Sequence, residues 1–201
     1  PWFDDDLALL RHAGIGRVMI PKADPEVLRV VRERLGGDIE IIALIETVAG
    51  LLRLREICSG ARIGRLAFGN LDFSLDAGMN ETDRELDPVR LQLVLESRFA
   101  KLPAPIDGVL PALNDPTALT SCVRRARALG FCAKLCIHPS QVGPVNDGFL
   151  PDAVELAWAS RVLTAVEEAG GGAVSVDGKM VDRPVVERAR ALVGASLAHK
   201  R

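Results

Sequence analysis

The amino-acid sequence predicts an α/β protein built around a parallel β-sheet. Five short apolar segments lack the alternation of polar and apolar residues that marks a strand with one face in water. Each is followed by a segment of helical periodicity, and the strand–helix unit recurs about every 25 residues. This rhythm is typical both of a doubly wound sheet and of a (β/α)8 barrel, and periodicity alone does not choose between them.

Helix-capping signals locate the elements along the chain. Asp-Pro pairs at 24–25, 87–88 and 115–116 each put an N-cap acid before a proline in the first helical position. A polar loop is expected between the third strand and the helix that begins at Asp87. The predicted strands are 18–20, 39–45, 63–68, 106–110 and 134–137.

The pattern changes near the C-terminus, which predicts a separate extension there. The triple glycine at 170–172 is typical of a hinge and lacks the spacing of a phosphate-binding loop. After it we expect a short strand, a turn at 177–178 and a final amphipathic helix over 183–197. The sequence therefore predicts a catalytic domain over 1–169 and a C-terminal extension over 170–201.

Composition and charge narrow the range of functions. The chain has 201 residues, of which 48% are hydrophobic, and a formal net charge of -2. With a pI of about 6.0, it has no basic field that would attract nucleic acid or an anionic membrane surface. No signal peptide and no apolar run of membrane-spanning length is visible, so we expect a cytoplasmic protein.

The cysteines argue against a zinc site. Cys58, Cys122, Cys132 and Cys136 form no C-x₂-C pair, which is the spacing that most structural zinc sites use. Cys132 and Cys136 are an even number of residues apart and are expected on one face of the last strand. We expect all four to be buried, reduced thiols.

Two carboxylates stand at the carboxyl ends of consecutive predicted strands. Glu46 directly follows the second strand, and Asp72 follows the third after a short turn. Active sites of parallel α/β folds lie at this edge, so the two side chains are able to share one small site for Mg²⁺. The alternative is that both are ordinary loop or helix-capping acids.

Five segments in a fixed order carry a resemblance to a known family. They are ALIET at 43–47, LAFGNLD at 66–72, IDGV at 106–109, KLCIHPSQ at 134–141 and DGKMVD at 177–182. Together they resemble the CitE-like (citrate lyase β-subunit) branch of the HpcH/HpaI aldolase and citrate lyase family. The resemblance extends over nearly the whole chain.

The resemblance implies a TIM (β/α)8 barrel that binds Mg²⁺ through Glu46 and Asp72. It implies cleavage of a 3-hydroxyacyl-CoA thioester of the citryl, malyl or citramalyl type to acetyl-CoA and an oxo acid. It also implies a homo-oligomer, a trimer or hexamer, in which the C-terminal extension packs on a neighbouring subunit. Asp182 is then a catalytic acid or base supplied across that interface, or alternatively the N-cap of the last helix.

Further residues are candidates for the site. Glu46 would also contact the substrate and take part in catalysis. His138, just past the last strand, is a candidate for binding substrate or transferring a proton, or for hydrogen bonds that shape its loop. Lys22, after Pro21 at the end of an earlier strand, faces the anionic substrate or CoA, or is a solvated or paired lysine.

The start of the chain departs from the family pattern. Relatives carry about three more strands and a substrate-binding arginine before the position of Pro1, so the resemblance implies a partial barrel here. Two further possibilities therefore stay open. One is a truncated, non-catalytic subunit; the other is malate synthase or thioesterase activity, which uses the same Mg²⁺ and enolate chemistry.

Overall fold

The computed structural model describes residues 3–37, 39–60, 62–80, 84–170 and 174–199. The chain forms two compact units, Pro1–Val145 and Asn146–Arg201. No helix in the described ranges combines the length and the apolar character needed to cross a membrane.

A five-stranded parallel sheet organises the first unit, and its strands neighbour one another in chain order. The strands are β1 (Arg17–Ile20), β2 (Glu40–Ile45), β3 (Arg65–Phe68), β4 (Ile106–Asp107) and β5 (Ala133–Lys134). The helices are α1 (Phe3–His12), α2 (Pro25–Leu35), α3 (Val48–Leu52), α4 (Leu54–Gly60), α5 (Asn70–Ala77), α6 (Asp87–Phe99), α7 (Pro116–Leu129) and α8 (Val142–Phe149), with a 3₁₀ turn over Pro139–Gln141.

The strand order decides between the two architectures that the sequence left open. A doubly wound sheet reverses direction at a switch point, whereas a barrel adds each new strand on the same side of the previous one. The observed order β1-β2-β3-β4-β5 has no reversal, so the sheet is wound as in a barrel. In the described part of the chain it has β1 and β5 as its edges. That further strands precede residue 1 in a longer protein stays a prediction.

The main core lies between one face of the sheet and the helices. Ile20, Ala43 and Leu66 are register neighbours on that face, and all three belong to the buried cluster. Leu28 and Val31 of α2 are fully buried in the same cluster. Because side chains alternate along a strand, Ile42 and Leu44 point to the opposite face, and Glu46 continues their series at the end of β2.

Several predicted elements differ from the observed ones. The predicted polar loop after β3 is wrong over its first part, because the chain forms α5 there. The last two strands are shorter than predicted and end at Asp107 and Lys134. The prediction of buried cysteines is wrong for Cys132 and Cys136, which are exposed and flank β5 instead of lying in it, and Cys58 and Cys122 are only half-buried. All four cysteines are free.

The second unit contains two helices and a hairpin. They are α9 (Ala153–Glu168), β6 (Val174–Val176), β7 (Lys179–Val181) and α10 (Arg183–His199), with β6 and β7 antiparallel. Ala159 and Val162 of α9 are fully buried against Ala189 of α10. Because α9 packs on α10, the second compact unit begins before the predicted domain boundary at 169/170. That the catalytic domain ends at residue 169 stays a prediction. The predicted hinge at 170–172 lies mostly outside the described residues.

Candidate active site

Glu46 is a buried carboxylate at the carboxyl end of β2. Its side chain is 7% exposed, and Oε1 accepts a hydrogen bond of 2.8 Å from the backbone N–H of Lys22, at the end of β1. No ion pair with Glu46 is found among the residues that the structure describes. A buried carboxylate without an ionic partner is the kind of group that binds a cation, and a metal-binding role for Glu46 stays a prediction.

Gly69 makes room for the Glu46 side chain. A Cβ on Gly69 would lie 2.6 Å from Glu46 Cβ and 2.7 Å from Oε2, closer than real side-chain contacts allow. The Gly69 N–H donates to Ile45 O at 2.9 Å, and Gly69 is the N-cap residue of α5. The second carboxylate oxygen of Glu46 therefore lies against the start of this helix, whose N-terminal dipole favours negative charge.

Asp72 projects from the first turn of α5 and is exposed. The same helix is tied to the segment after Glu46, because the Val48 N–H donates to Asp76 Oδ2 at 2.7 Å. Glu46 and Asp72 thus stand on adjoining segments at the same edge of the sheet. No group of three or more potential metal-binding side chains occurs in the described ranges. Mg²⁺ commonly takes only one or two carboxylates from a protein, and that Glu46 and Asp72 hold one ion together stays a prediction.

Asn70 joins the ends of β3 and β4. Its side chain is buried, accepts a 2.7 Å hydrogen bond from the Val109 N–H and donates a 3.1 Å bond to Val109 O. A Cβ on Gly108 would collide with the same Asn70 side chain. Asn70 therefore holds the backbone that follows β4 through both ends of its amide group.

His138 is exposed on the segment that follows β5. The Ser140 N–H donates to its Nδ1 at 3.2 Å, and Ser140 Oγ lies 2.7 Å from the same nitrogen. Because Nδ1 accepts, the neutral imidazole carries its proton on Nε2 and presents it as a donor. Gln141, 2% exposed, supports this segment: its Oε1 accepts from the Ile137 N–H at 3.0 Å, and its Nε2 donates to Leu110 O at 3.0 Å.

A buried charge cluster lies between the sheet and α6. Asp107 accepts from Arg90 Nε at 2.7 Å through Oδ1 and from Lys134 Nζ at 2.8 Å through Oδ2. All three side chains are at most 2% exposed, and the Arg90 guanidinium carbon is 5.6 Å from the centre of the Phe68 ring. This cluster binds the ends of β4 and β5 to a covering helix, so its role is structural.

Asp182 lies in the second unit, whereas Glu46, Asp72 and His138 lie in the first. It is exposed, and its Oδ1 accepts a 3.2 Å hydrogen bond from the Val185 N–H in the first turn of α10. The helix-cap geometry that the sequence offered as an alternative is therefore present. A cap occupies one carboxylate oxygen and leaves the other available, so a catalytic role for Asp182 stays a prediction.

Comparison with known proteins gives the family. The model of the HpcH/HpaI aldolase/citrate lyase family matches residues 1–139. The chain belongs to this family. It is 36% identical to a citrate lyase subunit beta-like protein of Deinococcus radiodurans, over 96% of this chain and 70% of that protein. It is 31% identical to a (3S)-malyl-CoA thioesterase of Cereibacter sphaeroides, over 94% of this chain and 68% of that protein.

A solved structure of the same family has the same fold. CitE of Mycobacterium tuberculosis, in complex with magnesium, acetoacetate and coenzyme A, superimposes with a TM-score of 0.82 at 29% identity. The match covers 96% of this chain and 72% of that one. The predicted TIM-barrel class of α/β fold is thereby confirmed, together with the predicted membership of the HpcH/HpaI family.

Sequence reasoning missed the residues that hold the candidate site in shape. Nothing in a linear pattern indicates that the backbone of Lys22 would hold Glu46, since the two are 24 positions apart. Gly69 did carry a signal, because a glycine at the end of a buried strand is typical of close approach by another group. Arg90 carried none, because an arginine in an amphipathic helix is ordinarily a surface residue.

Proposed function

We propose that this protein is a Mg²⁺-dependent lyase that cleaves a carbon–carbon bond in a 3-hydroxyacyl-CoA thioester. The observation that carries the proposal is Glu46, a buried carboxylate with a hydrogen bond but no described counter-charge, next to the helix that bears Asp72. Membership of the family and the similarity to a citrate lyase subunit beta-like protein and to CitE support the same reaction class.

Glu46 and Asp72 fit a magnesium ion. One oxygen of Glu46 is engaged with the Lys22 N–H, and the other adjoins the start of α5, which leaves a hard oxygen donor for a cation. Asp72 is exposed and supplies the second carboxylate. When bound there, the ion supplies Lewis-acid stabilisation of negative charge on the substrate's hydroxyl and carboxylate oxygens.

The remaining candidates have roles in moving protons and orienting substrate. A base takes the proton of the 3-hydroxyl group, the bond between carbons 2 and 3 breaks, and its electron pair forms the acetyl-CoA enolate. Asp182 delivers a proton to carbon 2 of that enolate and is reprotonated from solvent. His138 donates a hydrogen bond from Nε2 to the oxo-acid half, since its Nδ1 is already an acceptor.

Asp182 acts in this proposal from a neighbouring subunit of a homo-oligomer, a trimer or hexamer. The support is that it lies in a compact unit of its own, away along the chain from the Glu46 unit. Light scattering of the purified protein measures the assembly. Mixing an Asp182→Asn variant with a Glu46→Gln variant tests the sharing of sites, because only shared sites recover activity. We also propose a cytoplasmic location, which free cysteines fit.

The experiment that tests the function is a product assay on the full-length protein. Citryl-, malyl- and citramalyl-CoA are each incubated with Mg²⁺ or with EDTA, and acetyl-CoA, free CoA and oxo acid are quantified. We expect acetyl-CoA and an equal amount of oxo acid from at least one ester, and none with EDTA. Absence of cleavage of every ester by a folded, Mg²⁺-binding protein would favour the non-catalytic subunit instead.

A second candidate function is hydrolysis of the thioester. The observation that favours it is the 31% identity to a (3S)-malyl-CoA thioesterase. The same assay separates the two reactions, because hydrolysis of malyl-CoA releases malate and free CoA, whereas cleavage releases glyoxylate and acetyl-CoA. Malate synthase activity is tested by running the reverse reaction, with acetyl-CoA and glyoxylate, and measuring free CoA.

A further inference from the structure

Lys22 has an unusual backbone conformation beside the candidate metal ligand. Its φ angle is +46°, in the left-handed region that is disfavoured for residues with a Cβ. The turn is held on both sides, by the 2.8 Å bond from the Lys22 N–H to Glu46 and by a 3.1 Å bond from the Ala23 N–H to Leu44 O. Glycine would adopt this conformation without strain. The turn brings the Lys22 backbone N–H onto Glu46, so the Lys22 side chain starts beside the candidate site.

The Lys22 side chain is exposed, and no ion pair involves it in the described ranges. The acids that follow it in sequence are engaged elsewhere. Arg53 binds Asp24 Oδ2 at 2.9 Å and Glu26 Oε2 at 2.8 Å. The ammonium group of Lys22 thus adds a mobile positive charge at the edge of the sheet where Glu46 lies.

We propose that Lys22 is a further substrate-binding residue whose ammonium group binds an anionic oxygen of the CoA thioester. The inference rests on the proposed function. A lysine on a flexible stem is suited to a carboxylate or a phosphate, and a charge-assisted hydrogen bond to either is stronger than a neutral one. The acyl carboxylate and the CoA phosphates present the same chemistry, and the experiment distinguishes them.

Lys101 provides a matched control within the same chain. It is exposed, has a φ angle of +58°, and forms no ion pair in the described part of the structure. It follows α6 and precedes β4, which puts it at the amino edge of the sheet, opposite the candidate site. Lys22→Met and Lys101→Met therefore lose the same charge and keep the same left-handed backbone, and only the position differs.

The test compares Lys22→Met, Lys22→Gly and Lys101→Met in the full-length protein by titration calorimetry. The probes are Mg²⁺ alone, then oxaloacetate and coenzyme A separately in the presence of Mg²⁺. We expect both Lys22 variants to bind one probe about tenfold more weakly, the size of a lost charge-assisted hydrogen bond, with Mg²⁺ affinity unchanged. Weaker oxaloacetate binding identifies the carboxylate as the bound group, and weaker coenzyme A binding identifies a phosphate.

Lys22→Gly separates the side chain from the backbone. It retains the N–H that holds Glu46 and relieves the left-handed strain, so its melting temperature should equal or exceed that of the wild type while the affinity loss persists. Wild-type affinity for both probes in Lys22→Met would overturn the inference and leave the proposed function standing. A wild-type protein that binds neither probe would overturn both.

Discussion

Two buried carboxylates at the ends of parallel strands in the same sheet have opposite surroundings. Asp107 is held by Arg90 at 2.7 Å and Lys134 at 2.8 Å. Glu46 receives one neutral N–H at 2.8 Å, and no described cation pairs with it. Burying an ion costs several kcal/mol unless it is paired. The negative charge of Asp107 is compensated within the folded chain, whereas no described cation compensates that of Glu46.

Strand register explains why the two acids differ. Ala67 pairs with Ile106, so Asp107 shares the face of Phe68, which packs under the helices. On that face α6 is able to bring Arg90 to it. Glu46 continues the opposite face, where Ile42 and Leu44 lie and no helix of this core supplies a partner. The comparison teaches that compensation of charge, more than burial, separates a structural acid from a functional one.

The largest effect on turnover is expected from Asp72→Ala, which removes an exposed carboxylate of the candidate metal site. Turnover with Mg²⁺ should fall by roughly a thousandfold or more, since a metal ion supplies several kcal/mol of transition-state stabilisation. The melting temperature should barely change. Asp76→Ala in the same helix is the control: it removes the acceptor of the Val48 N–H and should lower stability but not activity. Retained activity in Asp72→Ala would exclude Asp72 from the metal site.

Glu46→Gln tests whether the buried carboxylate of Glu46 binds the metal ion. Glutamine keeps an acceptor for the Lys22 N–H and loses the charge, so Mg²⁺ binding and turnover should fall by roughly a thousandfold. The free energy of unfolding should stay equal or rise, because an uncompensated buried charge is gone. Glu40→Gln, on the same strand but paired with Arg17 at 2.7 Å, is the matched control. A large loss of stability in Glu46→Gln would break the comparison with Asp107.

Asp107→Asn, unlike Glu46→Gln, should lower the stability of the protein. It leaves Arg90 and Lys134 buried without their shared acid, which should cost about 3–5 kcal/mol in the free energy of unfolding. Chemical denaturation measures this loss. Adding Lys134→Met removes one of the two cations that lose Asp107, so the double variant should be more stable than Asp107→Asn alone. Equal stability of the single variant and the wild type would mean that the cluster is not structural.

Asp182→Asn gives the smallest effect and separates capping from catalysis. Asparagine caps a helix about as well as aspartate, so the melting temperature should not change. Loss of an acid–base group should lower kcat by about a hundredfold, with Mg²⁺ affinity unaffected. The same exchange at Asp152, the N-cap of α9, controls for the substitution itself. An unchanged kcat would assign Asp182 to capping alone.

Much of the fold was predictable from local patterns. The first four strands begin within two residues of their predicted starts, whereas the fifth overlaps its predicted run only at Lys134. Asp24 and Asp115 cap their helices as expected, but the predicted N-cap Asp87 is wrong, because Asp87 lies inside α6, whose N-cap is Leu86. The helix α5 was missed because its N-cap, Gly69, provides no capping side chain. The fourth strand is shorter than its apolar run because Asn70 engages the Val109 backbone instead of a strand neighbour. Hydrogen bonds between side chain and backbone that are this far apart in sequence produce no periodic pattern from which they could be predicted.

The sequence by itself determined the α/β class, the family and the pair Glu46 and Asp72 as candidates. These follow from short-range patterns, since strand ends and caps are read within a few residues. Only the tertiary structure decided the turn at Lys22 that holds Glu46 and the burial of Arg90 with Asp107 and Lys134, and it added the unreversed strand order expected of the barrel that the family resemblance implied. Each depends on contacts between distant segments, because the environment of a charge is set by what the fold packs around it.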